Sequence, residues 1–257
     1  MIADDVQDVL TRMRGSSDLR VWSVIVTIMG DMVRGQSDQI AGTTLTALMG
    51  ALGIRPEATR VALFRLRKDG WIDSQRAGRG SFYALTDHGL AETLSVMDRI
   101  YGAPQPAPET WHLAVSLLAT DRLGCEDALT GQGFAELSPG VFLGTAPPER
   151  SAGLLVFSDR TPTFPDQILP LLVPTSVRHD ARNLSDAANR ARNLTAHALP
   201  PLAKAALRVL VLHNWRRIAL RLPDLPLKAF WPEATLREDV HALLNRLGPI
   251  DITALPQ

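Results

Sequence analysis

The stretch from residue 55 to residue 89, RPEATRVALFRLRKDGWIDSQRAGRGSFYALTDHG, constrains the fold more than any other part of this chain. Pro56 stands where a first-turn proline opens a helix, and Gly70 stands where a glycine ends one. The runs WIDSQR and SFYALT flank AGRG, which is typical of two strands joined by a glycine-rich turn. A further helix begins near Thr86 or Asp87, since either residue is a good N-cap. The stretch therefore predicts a helix, a hairpin and a second helix in succession.

Two more helices are predicted before this stretch. Residues 21–33 have apolar side chains at helical spacing. Residues 43–53 form a short helix with Thr43 or Thr44 as its cap and Gly53 as its end. Three helices, a hairpin and a fourth helix follow one another in the order of a winged helix-turn-helix, whose role in many proteins is to bind DNA.

The helix predicted over residues 56–69 has two unlike faces when about 100° is allowed per residue. One third of its circumference is small or apolar and is expected to pack inward; it consists of Thr59, Ala62, Leu63 and Leu66. The remaining arc is mostly cationic and consists of Glu57, Arg60, Val61, Phe64, Arg65, Arg67 and Lys68. A helix about 10–12 Å wide fits the major groove of B-DNA, where the planar fork of arginine pairs with guanine or clamps a phosphate.

The predicted hairpin adds cations beside this helix. Arg79 lies between two glycines at the tip, where the backbone can approach a phosphate or a minor groove. We therefore predict a double-stranded DNA operator as the partner of this segment. The residues predicted to contact it are Thr43, Thr44, Arg60, Phe64, Arg65, Arg67, Lys68, Arg76, Arg79 and Ser81. Two alternatives stay open, namely a solvated basic helix without a ligand and a winged helix that contacts another protein.

Charge is distributed unevenly along the chain, although 27 basic residues balance 27 acidic ones. Residues 55–80 carry an excess of four positive charges, residues 103–174 are acidic by five, and residues 175–257 are basic by five. The neutral total therefore conceals a basic patch on the predicted helix and hairpin, as expected of a nucleic-acid-binding surface.

Two proline-rich segments divide the chain. The segment APQPAPE at 103–109 cannot continue a helix and predicts a linker, and FPDQILPLLVP at 164–174 is a weaker second joint. We expect a multi-domain α+β protein with a winged-helix domain over 1–102, a middle domain over 108–174 and a C-terminal domain over 175–257. The middle domain alternates strands with one short helix, which fits a small α+β sandwich, and the C-terminal domain is mostly helical.

The motif A-L-x-R-L-x-x-D-G-W at 62–71, followed by R-x-G-R and Y-x-L-T, resembles the N-terminal domain of the PaaX-like family of phenylacetic-acid degradation repressors. The resemblance continues into TWHLAVSLL, GFAELSPGVFLGT and LHNWRRIALRLPDLPL, so it spans most of the chain from about residue 20. It implies a winged helix, a ferredoxin-like middle domain and a helical C-terminal domain. It also implies a dimeric transcriptional repressor of the genes of phenylacetate catabolism.

The resemblance further implies that the effector is an aryl-acetyl-CoA or a similar thioester. Coenzyme A is strongly anionic, and arginine is the side chain best suited to phosphate groups. The segment HNWRRIALRLPDLP at 213–226 supplies the candidate effector-binding residues, which are Trp215, Arg216, Arg217 and Arg221. We expect the site between the middle and C-terminal domains. In the alternative interpretation Trp215, Ile218 and Leu222 pack inward and the three arginines are solvated.

Assembly and chemistry are predicted as follows. One helix-hairpin unit contacts little DNA, so we expect a homodimer with the middle or C-terminal domain at its interface and the winged helices outward. None of the six histidines is at a metal-ligand spacing, and we predict no catalytic residue, metal or cofactor. A metal-dependent nuclease that uses Asp121 stays an alternative, although a helix cap is the simpler role for that residue.

The chain is expected to be cytoplasmic and not inserted in a membrane. Its single cysteine excludes an internal disulfide and favours a reducing compartment. The N-terminus carries acidic residues where a signal peptide needs a basic region, and no stretch approaches the roughly 18 apolar residues of a membrane span.

Overall fold

The computed structural model describes the greater part of the chain. The described residues are 11, 20–34, 39–78, 80–104, 106–117, 122–149, 153–192, 199–231 and 235–256. They form helices and two antiparallel sheets, so the prediction of a mixed α+β protein is confirmed. The chain divides into two compact units. The first consists of 1–102, 180–220 and 236–257, and the second consists of 103–179 and 221–235.

The N-terminal part of the first unit contains the helices and the hairpin that the sequence predicts. In chain order the elements are α1 (Val21–Arg34), β1 (Gln39–Ala41), α2 (Gly42–Ala51), α3 (Pro56–Lys68), β2 (Ile72–Ala77), β3 (Gly80–Leu85), α4 (Asp87–Ser95) and α5 (Met97–Tyr101). The strands form one antiparallel sheet in the order β1-β3-β2. Helix α1 packs against α3 and against the long C-terminal helix of this unit, so its residues 23–32 are all buried.

The ends of these helices follow from local chemistry. Gly53 and Gly70, which follow α2 and α3, both have a φ of 73°, a left-handed conformation that favours glycine. Pro56 is the first residue of α3, as predicted. Thr86 caps α4, because its hydroxyl oxygen accepts a hydrogen bond from the Gly89 amide at 3.1 Å.

Strand β1 is absent from the elements that the sequence predicts. It has three residues, of which Ile40 is buried. The strand forms by pairing with β3, where Ile40 lies opposite Tyr83 and Ala41 opposite Phe82. A three-residue strand is too short to show the alternation of apolar and polar residues by which strands are detected.

The second unit is built around a four-stranded antiparallel sheet in the order β5-β6-β4-β7. Its elements are β4 (Trp111–Ser116), α6 (Arg122–Gly131), β5 (Ala135–Ser138), β6 (Val141–Gly144), β7 (Leu154–Asp159) and α7 (Ile168–Leu172). One face of the sheet forms a small core with α6, in which Ala114 and Phe142 pack with Leu129 and Phe134. The strands and the short helix predicted for this segment are therefore present.

Three helices follow along the chain, as expected for a helical C-terminal segment. They are α8 (Thr175–Arg192), α9 (Pro201–Ala219) and α10 (Leu236–Leu247). Helix α8 begins in the second unit and ends in the first, and α9 and α10 pack against each other in the first. Helix α9 also contacts α1, α2 and α5, so residues 180–220 and 236–257 pack with the N-terminal elements. The prediction gave residues 175–257 a domain of their own, and that division into three domains stays a prediction.

Among the described residues, no helix is long and apolar enough to cross a membrane. Within the same part of the chain, no three or more His, Cys, Asp or Glu side chains cluster closely enough to hold a metal ion. Asp121, the residue on which the nuclease alternative rests, lies outside the described residues.

Candidate nucleic-acid interface

Helix α3 has the two faces that its sequence predicts. The inward face is buried in full; it consists of Thr59, Ala62, Leu63 and Leu66, which are 2%, 6%, 7% and 2% exposed. The spacing of these residues fixes the rotation of the helix about its axis, because burial of one stripe leaves the opposite stripe in water. The predicted exposure of the outward cations is confirmed for Arg60, Arg65, Arg67 and Lys68.

Two of the outward arginines have acidic neighbours on the same helix or at its end. The Arg60 guanidinium lies 3.5 Å from the Glu57 carboxylate, and the Arg65 guanidinium lies 3.6 Å from that of Asp69. All four side chains are at least 49% exposed. Exposed pairs of this kind contribute about 0–1 kcal/mol, so little opposes their exchange for another anion.

Arg67 and Lys68 have no ion-pair partner among the described residues, and the same is true of Arg76 on β2. Arg76 is exposed and lies opposite Ser81 of β3, which is half-buried. The hairpin follows α3 directly in the sequence and thus adds one more exposed cation without an ion-pair partner among the described residues. Arg79, the residue predicted at the tip, lies outside the described residues.

The middle turn of the outward face of α3 is apolar, between Glu57 and Lys68. Val61 and Phe64 are 69% and 70% exposed, although burying side chains of this size is favourable by about 1.5–3 kcal/mol each. Phe64 is among the residues predicted to contact DNA and Val61 is not, although its position on the same arc of the helix was an available signal. Large exposed apolar residues flanked by cations indicate a surface that is covered in a complex.

The two threonines predicted in α2 differ. Thr43 is exposed in the first turn of the helix, where a ligand can reach it. Thr44 is 0% exposed, and its hydroxyl donates a hydrogen bond to the Pro256 carbonyl at 2.8 Å. The predicted contact of Thr44 with DNA stays a prediction, and it requires this buried side chain to become exposed. Neither threonine caps α2, since Ala41 is its N-cap and makes no side-chain hydrogen bond.

Trp215, the aromatic residue of the predicted effector site, is a core residue. It is 1% exposed, its Nε1–H donates to the Ile100 carbonyl at 2.8 Å, and the Arg237 guanidinium lies 5.2 Å from its ring centroid. Ile218 and Leu222 are also buried, at 3% and 8% exposed. The inward packing of these three residues, which the alternative interpretation gave, is thus observed, whereas the predicted contact of Trp215 with an effector stays a prediction that requires the indole to leave the core.

The three arginines of the predicted effector site have different surroundings. Arg216 is half-buried, donates to the Ser23 hydroxyl at 3.4 Å, and has its pKa lowered by burial. Arg217 is half-buried in the last turn of α9. Arg221 is exposed, belongs to the second unit and donates to the Ser176 hydroxyl at 3.0 Å. Their role in binding an effector stays a prediction.

The helix-hairpin segment thus defines the class: an α+β protein whose solvent-facing cationic helix and hairpin carry three exposed cations without an ion-pair partner among the described residues, a pattern suited to an anionic duplex. Residues 20–89 match the model of a family described as PaaX-like protein. The chain is also 30% identical over 255 residues to the transcriptional repressor PaaX of Escherichia coli (strain K12), and the match covers 88% of this chain and 80% of that protein. The chain belongs to the PaaX-like family, as its motifs indicated.

A solved structure is also similar to this chain. It is that of the uncharacterized protein Rv0674 from Mycobacterium tuberculosis, with a TM-score of 0.46 and 21% sequence identity. The match covers 88% of this chain and 96% of that one.

Proposed function

We propose that this protein is a transcriptional repressor that binds a double-stranded DNA operator through α3 and the β2–β3 hairpin, and that it is a regulator without catalytic activity. The observation that carries the proposal is the outward face of α3, where Arg60, Arg65, Arg67 and Lys68 are all exposed around an apolar centre. Similarity to the repressor PaaX of Escherichia coli supports the same role.

The arrangement of the N-terminal elements supports a winged helix-turn-helix. Helices α2 and α3 are joined by a turn at Gly53, whose φ is positive, and the hairpin follows α3 directly. Strand β1 completes the small sheet through its pairing with β3. In such a fold the second helix of the pair, here α3, enters the major groove, and the hairpin lies along the neighbouring backbone.

The second unit supports the ferredoxin-like domain that the motifs imply. Its strands follow the order of a β-α-β-β-β unit, with the first strand, β4, at the centre between β6 and β7 and antiparallel to both. Helix α6 connects β4 to β5, as the first crossover helix of a ferredoxin-like fold does.

Phosphate attraction is the sequence-independent part of the proposed binding. Each cation that neutralises a phosphate releases counterions, so the affinity falls with salt at a slope of about −0.9 for each contact. Arg67, Lys68 and Arg76 are available without breaking an ion pair to a described residue, and Arg60 and Arg65 give up only exposed pairs. Specificity must come from the groups that reach the base edges.

The test is in vitro selection of duplexes from a random library with the full-length chain, followed by titration of the selected operator and a scrambled duplex. A selected motif that binds roughly 10³-fold or more tighter than the scrambled duplex is the expected result. Equal affinity for both at about 0.15 M salt would contradict a sequence-specific repressor. Failure to bind either duplex would favour a winged helix that contacts another protein.

We also propose that the repressor is a homodimer, because two symmetry-related α3 helices double the contacted half-sites. Strand β7 supports the middle segment as the interface. It is the edge strand of the sheet that the described residues form, and Leu155 and Phe157, two residues apart on one face, are 45% and 57% exposed. Exposed apolar edge strands are sites of strand pairing between chains.

The regulated genes are proposed to be those of phenylacetate catabolism, in a cytoplasmic setting, with an aryl-acetyl-CoA thioester as the effector that releases the operator. Arg216, Arg217 and Arg221 are the proposed phosphate contacts, since the guanidinium fork matches phosphate oxygens. A ligand releases DNA about 100-fold only if it prefers the non-binding conformation by roughly 2.7 kcal/mol.

A further inference from the structure

The two apolar side chains on the outward face of α3 lie at its centre. Val61 and Phe64 are three residues apart and are therefore neighbours on the helix surface. Both lie within about 30° of the direction opposite the buried stripe, when about 100° is allowed per residue. Their exposures of 69% and 70% show that no described part of the chain covers them.

Three arginines lie to either side of this apolar pair. On the same helical projection Arg60 and Arg67 fall on one flank and Arg65 falls on the other. Glu57 and Lys68 fall on the line of the pair itself, about one turn before Val61 and one turn after Phe64. The major groove is about 12 Å wide, with base edges at its floor and phosphates at its rims. A groove that receives α3 by its outward face therefore meets Val61 and Phe64 at the floor and the arginines at the rims.

The floor of the groove offers one apolar group, which is the C5-methyl of thymine. The other groups there are hydrogen-bond donors and acceptors, and covering them with valine or phenylalanine would leave them without a partner at a cost of about 1–3 kcal/mol each. We propose that Val61 and Phe64 are specificity-determining residues that read thymine methyl groups within the operator half-site. The inference rests on the proposed DNA-binding function and deepens it.

A protein partner fits this surface less well. A stable protein interface buries roughly 800 Å² on each side and is depleted in charge at its centre. Here the apolar centre has two side chains, and cations lie within one helical turn of both. The major groove of DNA, which has phosphates at both rims and thymine methyl groups at its floor, matches this surface more closely.

The experiment uses the full-length protein and the operator obtained by selection. Each thymine of the half-site is replaced in turn by deoxyuridine, which lacks only the methyl group, and binding is measured by fluorescence anisotropy at constant salt. We expect one or two positions at which the replacement weakens binding about 4-fold, which corresponds to roughly 0.8 kcal/mol for one buried methyl.

Variants assign those positions to residues. Phe64→Ala is expected to bind the thymine operator more weakly and to lose the uracil effect at one position, and Phe64→Leu, which keeps an apolar contact, is expected to regain part of it. Val61→Ala is expected to act in the same way at an adjacent position. Leu94→Ala is the matched control, because Leu94 is also an exposed apolar helix residue, at 53%, and lies on α4.

Each outcome is decisive. Specific binding that is insensitive to uracil at every position overturns the thymine inference and leaves the repressor function standing. The same holds if the uracil effect persists unchanged in Phe64→Ala and Val61→Ala, since other residues then read the methyl groups. If the chain binds no duplex at all, the proposed function fails, and the exposed pair serves a protein partner.

Discussion

Arg208 and Asp31 form a buried two-point ion pair in the first unit, although 177 residues separate them along the chain. Arg208 Nε donates to Asp31 Oδ2 at 2.6 Å, and Nη2 donates to Oδ1 at 2.7 Å. The Tyr101 hydroxyl donates to the same Oδ1 at 2.9 Å, and Arg208 Nη1 donates to the Leu244 carbonyl at 2.8 Å. One buried network thus joins α1, α5, α9 and α10, so the N-terminal elements that carry α3 are bound to the C-terminal helices.

Removing the cation of this pair should destabilise the protein strongly. Arg208→Met leaves the Asp31 carboxylate, whose side chain is 1% exposed, buried without its counter-charge. The expected loss is about 3–5 kcal/mol of the free energy of unfolding, measured by urea denaturation. The double variant Asp31→Leu with Arg208→Met should regain much of the loss, because it buries no charge.

A matched control exists on the surface of the same unit. Arg192 and Asp239 form a long-range pair at 3.2 Å in which the arginine is 48% exposed. Arg192→Met should cost no more than about 1 kcal/mol. Equal losses in the two methionine variants would show that burial does not set the strength of the Asp31 pair.

Local sequence predicted the faces of α3 but not these long-range partners. The spacing of Thr59, Ala62, Leu63 and Leu66 predicts a packed stripe because burial repeats with the helical period. Thr44, in contrast, is buried, and its hydroxyl donates to the carbonyl of Pro256, which is 212 residues away in the sequence. The helical period of the apolar residues does not predict such a contact. The burial of Thr44, which was predicted to contact DNA, therefore could not be predicted from the sequence around it.

Helix α9 shows a second kind of side-chain burial that the sequence does not predict. Residues 205–215 are all buried, because α1, α2, α5 and α10 contact the helix. A helix covered on every side lacks the polar stripe by which an outward face is recognised. Arg216 and Arg217 were grouped with Arg221 as one anion-binding surface from their spacing alone, whereas Arg216 is half-buried against Ser23 and Arg221 belongs to the second unit.

His213 should make stability depend on pH. It is 1% exposed, and burial, followed by the charges of Arg217 and Arg216, lowers the pKa of His213 from 6.5 to about 4. The Thr27 hydroxyl donates to the Ser23 carbonyl, so its oxygen accepts from the His213 Nδ1–H 3.3 Å away. Nε2 then carries a lone pair, with no hydrogen-bond partner among the described residues.

Below about pH 6.5 the unfolded chain takes up a proton that the folded chain does not, so stability falls as pH decreases towards 4. The contribution is fully present above pH 6.5, and up to roughly 3 kcal/mol is lost by pH 4. Urea denaturation between pH 4 and 7 should show this slope in the wild type and a weaker one in His213→Gln. The variant of the exposed His88, His88→Gln, should keep the wild-type slope; if it does not, His213 is not its source.

The outward cations of α3 should divide into base and phosphate contacts. Arg60→Ala should cost roughly 1–3 kcal/mol on the operator and little on a scrambled duplex if Arg60 touches a base. Arg67→Ala should weaken both duplexes alike and reduce the salt slope by about 1 if Arg67 touches phosphate. Arg246→Ala, which removes an exposed cation from α10, is the control. Unchanged affinity of both α3 variants for both duplexes would contradict the proposed interface.

The proposed homodimer is tested by placing a charge on β7. Phe157→Asp should give a monomer by light scattering at micromolar concentration and weaken operator binding, because an unpaired carboxylate at an apolar interface is costly. Leu171→Asp is the matched control for Phe157→Asp, since both side chains are 57% exposed and lie in the same unit. A wild-type monomer with and without DNA would refute the dimer. A dimer that persists in Phe157→Asp would move the interface away from β7.

The effector proposal separates Arg217 from Trp215. Operator release is followed by fluorescence anisotropy while phenylacetyl-CoA, phenylacetate and CoA are titrated separately, and only the thioester should release DNA. Arg217→Ala should shift that titration to higher thioester concentration if the guanidinium holds a phosphate. Trp215→Phe should instead lower the free energy of unfolding by about 1–3 kcal/mol, because it removes the 2.8 Å hydrogen bond from the indole to the Ile100 carbonyl and leaves part of the buried indole volume unfilled. At temperatures where Trp215→Phe is folded, its thioester response should equal that of the wild type, since the indole lies in the core. Release by none of the three compounds would exclude this effector class, whereas an unaltered response in Arg217→Ala would exclude only the proposed contact.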